Sequence, residues 1–207
     1  MDLIIADIDW LVKRKKDIQA VFVTHAHEDH VGGIAHTYDR LQARIYARKF
    51  TANITKRKMS EYNHPDDAVR IVGIFPQQVE AGPFKVGFQP ISHSIPESSA
   101  LVIDTPVGRI VHSGDFKVDL TPGVGEPFDP AAFEGIAKDG IKALVCDSTN
   151  VFSQHPGRSE ASLPEAITDL VKSAEGMVVA TTFASNVARV KTLAVAGAAA
   201  GRSIVLL

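Results

Sequence analysis

Apolar residues in this chain fall into short blocks separated by longer amphipathic stretches. Runs such as Val21-Phe22-Val23, Ala143-Leu144-Val145-Cys146 and Ile204-Val205-Leu206-Leu207 are the continuous kind found in strands buried on both faces. The pattern predicts strands at 3–6, 20–24, 44–47, 85–92, 101–105, 109–113, 143–146, 177–181 and 203–207. Pro106-Val107-Gly108 between two of them reads as a hairpin turn. Helical spacing predicts helices at 31–41, 50–62, 130–138, 163–174 and 186–200. Ser162, with Glu165 three residues on, supplies a capping box for the fourth. Gly201 suits the left-handed position that ends the fifth. Short strands alternating with helices make this an α/β layered fold.

Both ends read as interior chain. Met1 leads directly into a strand-like run, and the last residues form an apolar strand that needs neighbours on both sides. Natural termini are more polar and frayed, so the expectation is a piece of a longer protein.

Composition narrows the function classes. The 207 residues carry a formal net charge of −2, which excludes a globally basic nucleic-acid binder but not a local basic groove. Cys146 is the single cysteine, so no disulfide framework exists and a reducing, cytoplasmic compartment is expected. The acidic start is too short for a signal peptide, and no apolar run reaches membrane-spanning length. No membrane partner is expected.

The chemistry concentrates in Thr24-His25-Ala26-His27-Glu28-Asp29-His30-Val31-Gly32-Gly33. At the end of an extended strand, alternate side chains point the same way, so His25 and His27 project together. Asp29 and His30 follow as the chain curls toward the two glycines. Two imidazoles at alternate positions make half of one zinc site, and a carboxylate with a third imidazole makes half of another. Further ligands belong at other strand ends. His93, after the 85–92 strand, and Asp115, after Ser113-Gly114, are the candidates. On their own residue types they read equally as a loop histidine and a turn-capping aspartate. Asp147, at the end of the 143–146 strand, likewise reads as a cap for the turn holding Ser148 and Thr149. His36, His64, His112 and His155 read as structural. The basic stretch from Arg44 to Lys58 is either a solvated face or a phosphate contact.

The order of these motifs resembles a known family. His25-Ala26-His27-Glu28-Asp29-His30 followed by Gly33 is similar to the signature of the metallo-β-lactamase superfamily. His93-Ser94-Ile95-Pro96-Glu97, Gly114-Asp115-Phe116-Lys117-Val118-Asp119, Asp147-Ser148-Thr149-Asn150 and Thr182-Phe183-Ala184-Ser185-Asn186-Val187 follow in the order of bacterial ribonuclease J, in the beta-CASP branch. The resemblance implies an αββα sandwich over 1–147, lacking its first strands, and the beginning of a beta-CASP domain over 148–207. It implies one metal held by His25, His27 and His93, a second by Asp29 and His30, and Asp115 bridging the two. Catalytic roles then fall to Asp29, His30, Asp115 and Asp147, the last orienting a histidine from further along the chain. The implied cofactors are two Zn2+ ions, with Mn2+ or another divalent metal as substitute.

The implied activity is hydrolysis of single-stranded RNA, by 5′-to-3′ exonuclease and endonuclease action through a metal-activated hydroxide, in a protein that is a homo-oligomer when full-length. The resemblance also implies segments outside 1–207 that bring a last ligand histidine, the catalytic partner histidine and an RNA-phosphate loop. Other readings stay open: an inactive truncated metal-binding module, a DNA nuclease, or another hydrolase on the same fold.

Overall fold

A computed structural model of the chain describes residues 4–155 and 157–206. After a one-turn helix α1 (Asp9–Val12), strand β1 (Val21–Val23) leads into a second single turn, α2 (Glu28–Val31), and then α3 (Ile34–Leu41). Strand β2 (Ile45–Ala47), helix α4 (Lys49–Glu61) and strand β3 (Val69–Ile71) complete the first half. The three strands form a parallel sheet in the order β1-β2-β3. The second sheet runs β4 (Gln78–Ala81), β5 (Phe84–Pro90), β6 (Ser99–Thr105), β7 (Gly108–His112) and β8 (Ala143–Val145). Its pairs are antiparallel except the last, where α5 (Pro130–Ala137) makes the crossover and β7 and β8 run parallel. Helices α6 (Pro164–Ser173) and α7 (Val187–Ala199) follow and pack on each other.

The two-residue period of the strands sorts their side chains into layers. Val23, Ile45, Ala47 and Val69 pack against Val31, Ala35, Ala52 and Met59 of the first-half helices. Phe22 and Tyr46, on the opposite face, stack 5.4 Å apart and meet Val86, Phe88 and Leu101 of the second sheet. Val102 and Val111 point outward and meet Ile136 of α5. The order is therefore helix, sheet, sheet, helix, as the resemblance implies. Full burial of Phe88 or Ile45 contributes roughly 1.5–3 kcal/mol each, so the inter-sheet and sheet–helix layers both hold the strand ends that carry the site.

Most predicted elements form, with shifts of a residue or two at their ends. The hairpin pairs Thr105 with Gly108, and Gly201 adopts φ +66° at the end of α7. Five expectations need correction. The helix predicted over 31–41 is two helices, because Gly32 and Gly33 end α2 and start α3, and α2 begins early enough to hold Asp29 and His30. Ser162 does not cap α6. Its hydroxyl donates to the Ser159 carbonyl, Leu163 occupies the cap without a side-chain bond, and Pro164 sets the first helical φ.

The stretches 177–181 and 203–206 lie beside α6 and α7 but have no ladder partner among the described residues, so apolar runs there give no strand. Residues 4–6 also form no strand; Leu3 and Leu207, the outer ends of two predicted strands, lie outside the described residues. Conversely, β3 and β4 form although Arg70, Gln78 and Glu80 break up their apolar pattern. Among the described residues no helix is long and apolar enough to cross a membrane.

Candidate metal centre

Three connections deliver the site. Backbone of β1 runs straight into His25, the chain leaving β5 presents His93, and the chain leaving β7 turns at Gly114 to present Asp115. Gly114 has φ +60°, and a Cβ there would stand 2.9 Å from the Ser99 carbonyl and 3.1 Å from Thr24 Cβ. Only glycine fits that approach of the β7 exit to the β1 exit. Cross-links then tie the three exits together. Ser99 N donates to the Thr24 carbonyl at 3.1 Å, Lys117 N to the Ser92 carbonyl at 2.8 Å, and the Ser98 hydroxyl to the Asp115 carbonyl at 3.4 Å.

His25, His27, His93 and Asp115 bring one ligand atom each to within 4.8 Å of one another, and Asp29, His30 and Asp115 do the same. His27 Nδ1 lies 3.1 Å from His25 Nε2 and 3.1 Å from His93 Nε2. Asp115 Oδ2 is 3.8 Å from His25 Nε2 and 3.3 Å from His30 Nε2, while Asp29 Oδ2 is 3.5 Å from His30 Nε2. Two nitrogens sharing a tetrahedral cation at 2.0–2.1 Å stand about 3.3 Å apart. The imidazole spacing matches that value. Asp115 belongs to both groups, so the two share one carboxylate.

The outer partners fix the rings. Thr24 Oγ1 is 3.0 Å from His25 Nδ1, leaving Nε2 to face the cluster, and Ser94 Oγ is 3.3 Å from His27 Nε2, leaving Nδ1 to do so. Such contacts orient metal-binding imidazoles. Burial is the first cause that lowers the pKa of His25 to about 2, helped by His30, His93 and His27. Burial likewise lowers His93 to about 4, and it lowers His27. All three are neutral near pH 7, the state a cation requires.

Asp147 stands apart from the two groups. Its Oδ1 accepts from the Thr149 backbone at 2.9 Å and from the Thr149 hydroxyl at 2.6 Å. Those bonds, side chain first, hold its carboxyl below the usual range. The turn-capping role is therefore realised, and the same carboxylate raises the pKa of His93 through space. Glu28 is exposed and paired with Lys58 at 2.7 Å. His112 accepts from Gly114 N at 3.0 Å and His64 meets the Ala35 carbonyl at 2.7 Å, both structural. Within the basic stretch Arg48 is buried and the other charges are not.

A cleft of about 660 Å³ opens over the cluster, lined by His27, Asp29, His93, Asp115, Phe183 and Asn186 among others. Phe183 is 83% exposed on its wall. Thr24, Ser94 and Phe183 are participants that residue type alone does not flag. Thr24 and Ser94 adjoin predicted ligands, which is the one local signal available for them.

The chain also has relatives among known proteins. The chain is 40% identical over 209 residues to ribonuclease J of Sinorhizobium meliloti, covering 100% of this chain and 37% of that protein. Ribonuclease J2 of Bacillus subtilis is 33% identical over 208 residues, covering 99% of this chain and 37% of its own length. The chain thus spans little more than a third of the length of these relatives. A crystal structure of a protein of unknown function from Enterococcus faecalis V583 superposes with a TM-score of 0.58 at 17% identity, covering 97% of this chain and 50% of that one, and shares the fold. Residues 7–149 match the family described as the beta-lactamase superfamily domain, and with the layered sheets and convergent strand ends in place, the chain belongs to that superfamily.

Proposed function

We propose that this chain carries the metal-binding half of a ribonuclease J-type hydrolase that cleaves phosphodiester bonds of single-stranded RNA. The convergence of three neutral imidazoles and a shared aspartate, with a second His–Asp pair beside them, carries the reading. Residues 1–147 are the lactamase-like core in this proposal, and 148–207 begin a beta-CASP domain.

His25, His27, His93 and Asp115 would hold one divalent cation, and Asp29, His30 and Asp115 the other. The nitrogen-rich first set favours Zn2+; the carboxylates of the second also suit Mn2+. Cations held there would lower the pKa of a bound water and offset charge on a phosphoryl oxygen. The protein's own part is preorganisation. Thr24 and Ser94 fix the ring faces of His25 and His27, Asp115 spans both positions, and the desolvated His25 stays unprotonated. Asp147, ionised at neutral pH and near His93, would orient a proton-donating partner from outside this chain. Phe183, on the cleft wall, offers an aromatic face on which a nucleobase can stack.

Exonuclease action from a 5′ end, endonuclease action, a cytoplasmic location and homo-oligomerisation of the longer protein complete the proposal. All are supported by the similarity to ribonuclease J proteins rather than by geometry.

The test is digestion of 5′-monophosphorylated RNA, with DNA and a β-lactam as comparison substrates. Asp29→Ala is expected to abolish RNA cleavage while leaving the protein folded; equal cleavage by both proteins would sink the reading. A second reading has one observation in its favour: the Asp29–His30–Asp115 group offers three protein ligands against four in the other. A module that fills only the first position would bind about one cation per chain instead of about two, a difference that metal analysis resolves.

A further inference from the structure

Two carboxylates from different loops converge on the first turn of α4. Arg48, the residue before that helix, is side-chain buried (9% exposed), and its guanidinium donates to the carboxylate of Glu126. Its Nη1 is buried without a protein partner, so Glu126 is its one counter-charge among the described residues. Glu97 accepts from Phe50 N, in the first turn of the same helix, at 2.6 Å through Oε2. It does so from a left-handed backbone, φ +58°.

Glu97 lies four residues beyond His93, and Glu126 lies eleven residues beyond Asp115, on the same connection from β7 to α5. The two loops also meet directly: Lys117 N donates to the Ser92 carbonyl at 2.8 Å and the Ser98 hydroxyl to the Asp115 carbonyl at 3.4 Å. Helix α4 is a firm anchor for both, because its Ala52, Thr55 and Met59 are fully buried. It follows β2, the neighbour of β1, whose exit carries His25.

We propose that Arg48, Glu97 and Glu126 form a clamp that pins the His93 and Asp115 loops to α4, and so sets the spacing of those two ligands and the affinity of the site for divalent cations. They are positioning residues, belonging to neither group of candidate donors. This rests on the metal-binding reading above. Two features argue that geometry is being controlled rather than surface charge merely balanced. Burying a guanidinium demands a fixed acceptor, and a non-glycine residue in the left-handed region is held there by its surroundings. Neither would be expected of loops free to drift.

The experiment compares the whole protein with Glu126→Ala, Glu97→Ala, His25→Ala and the remote Glu80→Ala. Co2+ is titrated in competition with a chromophoric chelator, and its visible absorption spectrum is recorded. Glu126→Ala and Glu97→Ala are expected to bind Co2+ on the order of 10-fold more weakly, with altered band positions and unchanged far-UV dichroism. Glu80→Ala should match the unsubstituted protein. Glu126 and Glu97 each test the clamp, so a folding defect in one leaves the other decisive. Unchanged affinity and spectrum in both would overturn the clamp while His25→Ala still abolished binding. If the unsubstituted protein bound no Co2+, the metal-binding reading itself would fail, and the clamp with it.

Discussion

His25 is wholly buried, with three other imidazoles nearby, and its pKa falls to about 2, against an ordinary value of 6.5. The folded state therefore binds fewer protons than the unfolded state from about pH 6.5 downward, so stability falls as pH falls through that range. The metal-free protein is expected to melt at progressively lower temperature from pH 7 to pH 5. Calorimetry should show a shallower slope in His25→Gln, which removes the titrating ring. An equally steep slope in that variant would place the effect elsewhere. At the same scale, Gly114→Ala combines φ +60° with a Cβ 2.9 Å from the Ser99 carbonyl. It is expected to cost roughly 1–3 kcal/mol, measured by chemical denaturation, and to weaken cation binding by moving Asp115. The His25-to-His30 cluster was legible because its four candidate donors are neighbours in sequence. His93 and Asp115 were legible only in part, from strand ends plus motif order. Arg48, Glu97 and Glu126 left no local trace, since the partners of the buried guanidinium and the helix end lie 78 and 47 residues away from them.

Among the elements, apolar runs that meet another backbone formed strands as their pattern predicts, β1 and β8 with a single neighbour each. β3 and β4 did so against their pattern, because their ladders, not their side chains, recruit them. The reverse failure at 177–181 and 203–206 has the same cause: an apolar run becomes a strand only where another backbone meets it. Helix α2 shows what composition alone misses. Gly32 and Gly33 were visible as a turn, yet the helical turn before them, which lifts Asp29 and His30 toward Asp115, follows from the chain reversing after His27. For the layer between the sheets, Phe88→Ala is expected to destabilise the fold by about 3–5 kcal/mol, because Phe88 is 1% exposed and packs against Phe22. Urea denaturation would measure it.

Among the described residues, large apolar side chains stand exposed at several places, among them Leu144 and Val145 on β8, and Met177, Val179, Phe183, Val205 and Leu206 beside α6 and α7. Surfaces of this kind associate or recruit further structure. The 207-residue chain in isolation is expected to bind a hydrophobic fluorescent dye, and Leu144→Lys with Val179→Lys to reduce the signal. The fold class was readable from alternating elements. The two-sheet sandwich, however, depends on Phe22 and Tyr46 facing one way while Val23 and Ala47 face the other, which a three-residue strand hardly declares.

Asp115 carries one further consequence. If the two proposed cation positions are both filled, the carboxylate common to them would link them thermodynamically, because electron density and orientation given to one are withdrawn from the other. Linkage of this kind is reciprocal: filling the four-ligand position must change the affinity of the three-ligand position by the same factor as the converse. Titration with a single divalent ion is then expected to be biphasic, and Asp115→Asn to alter both phases together rather than one.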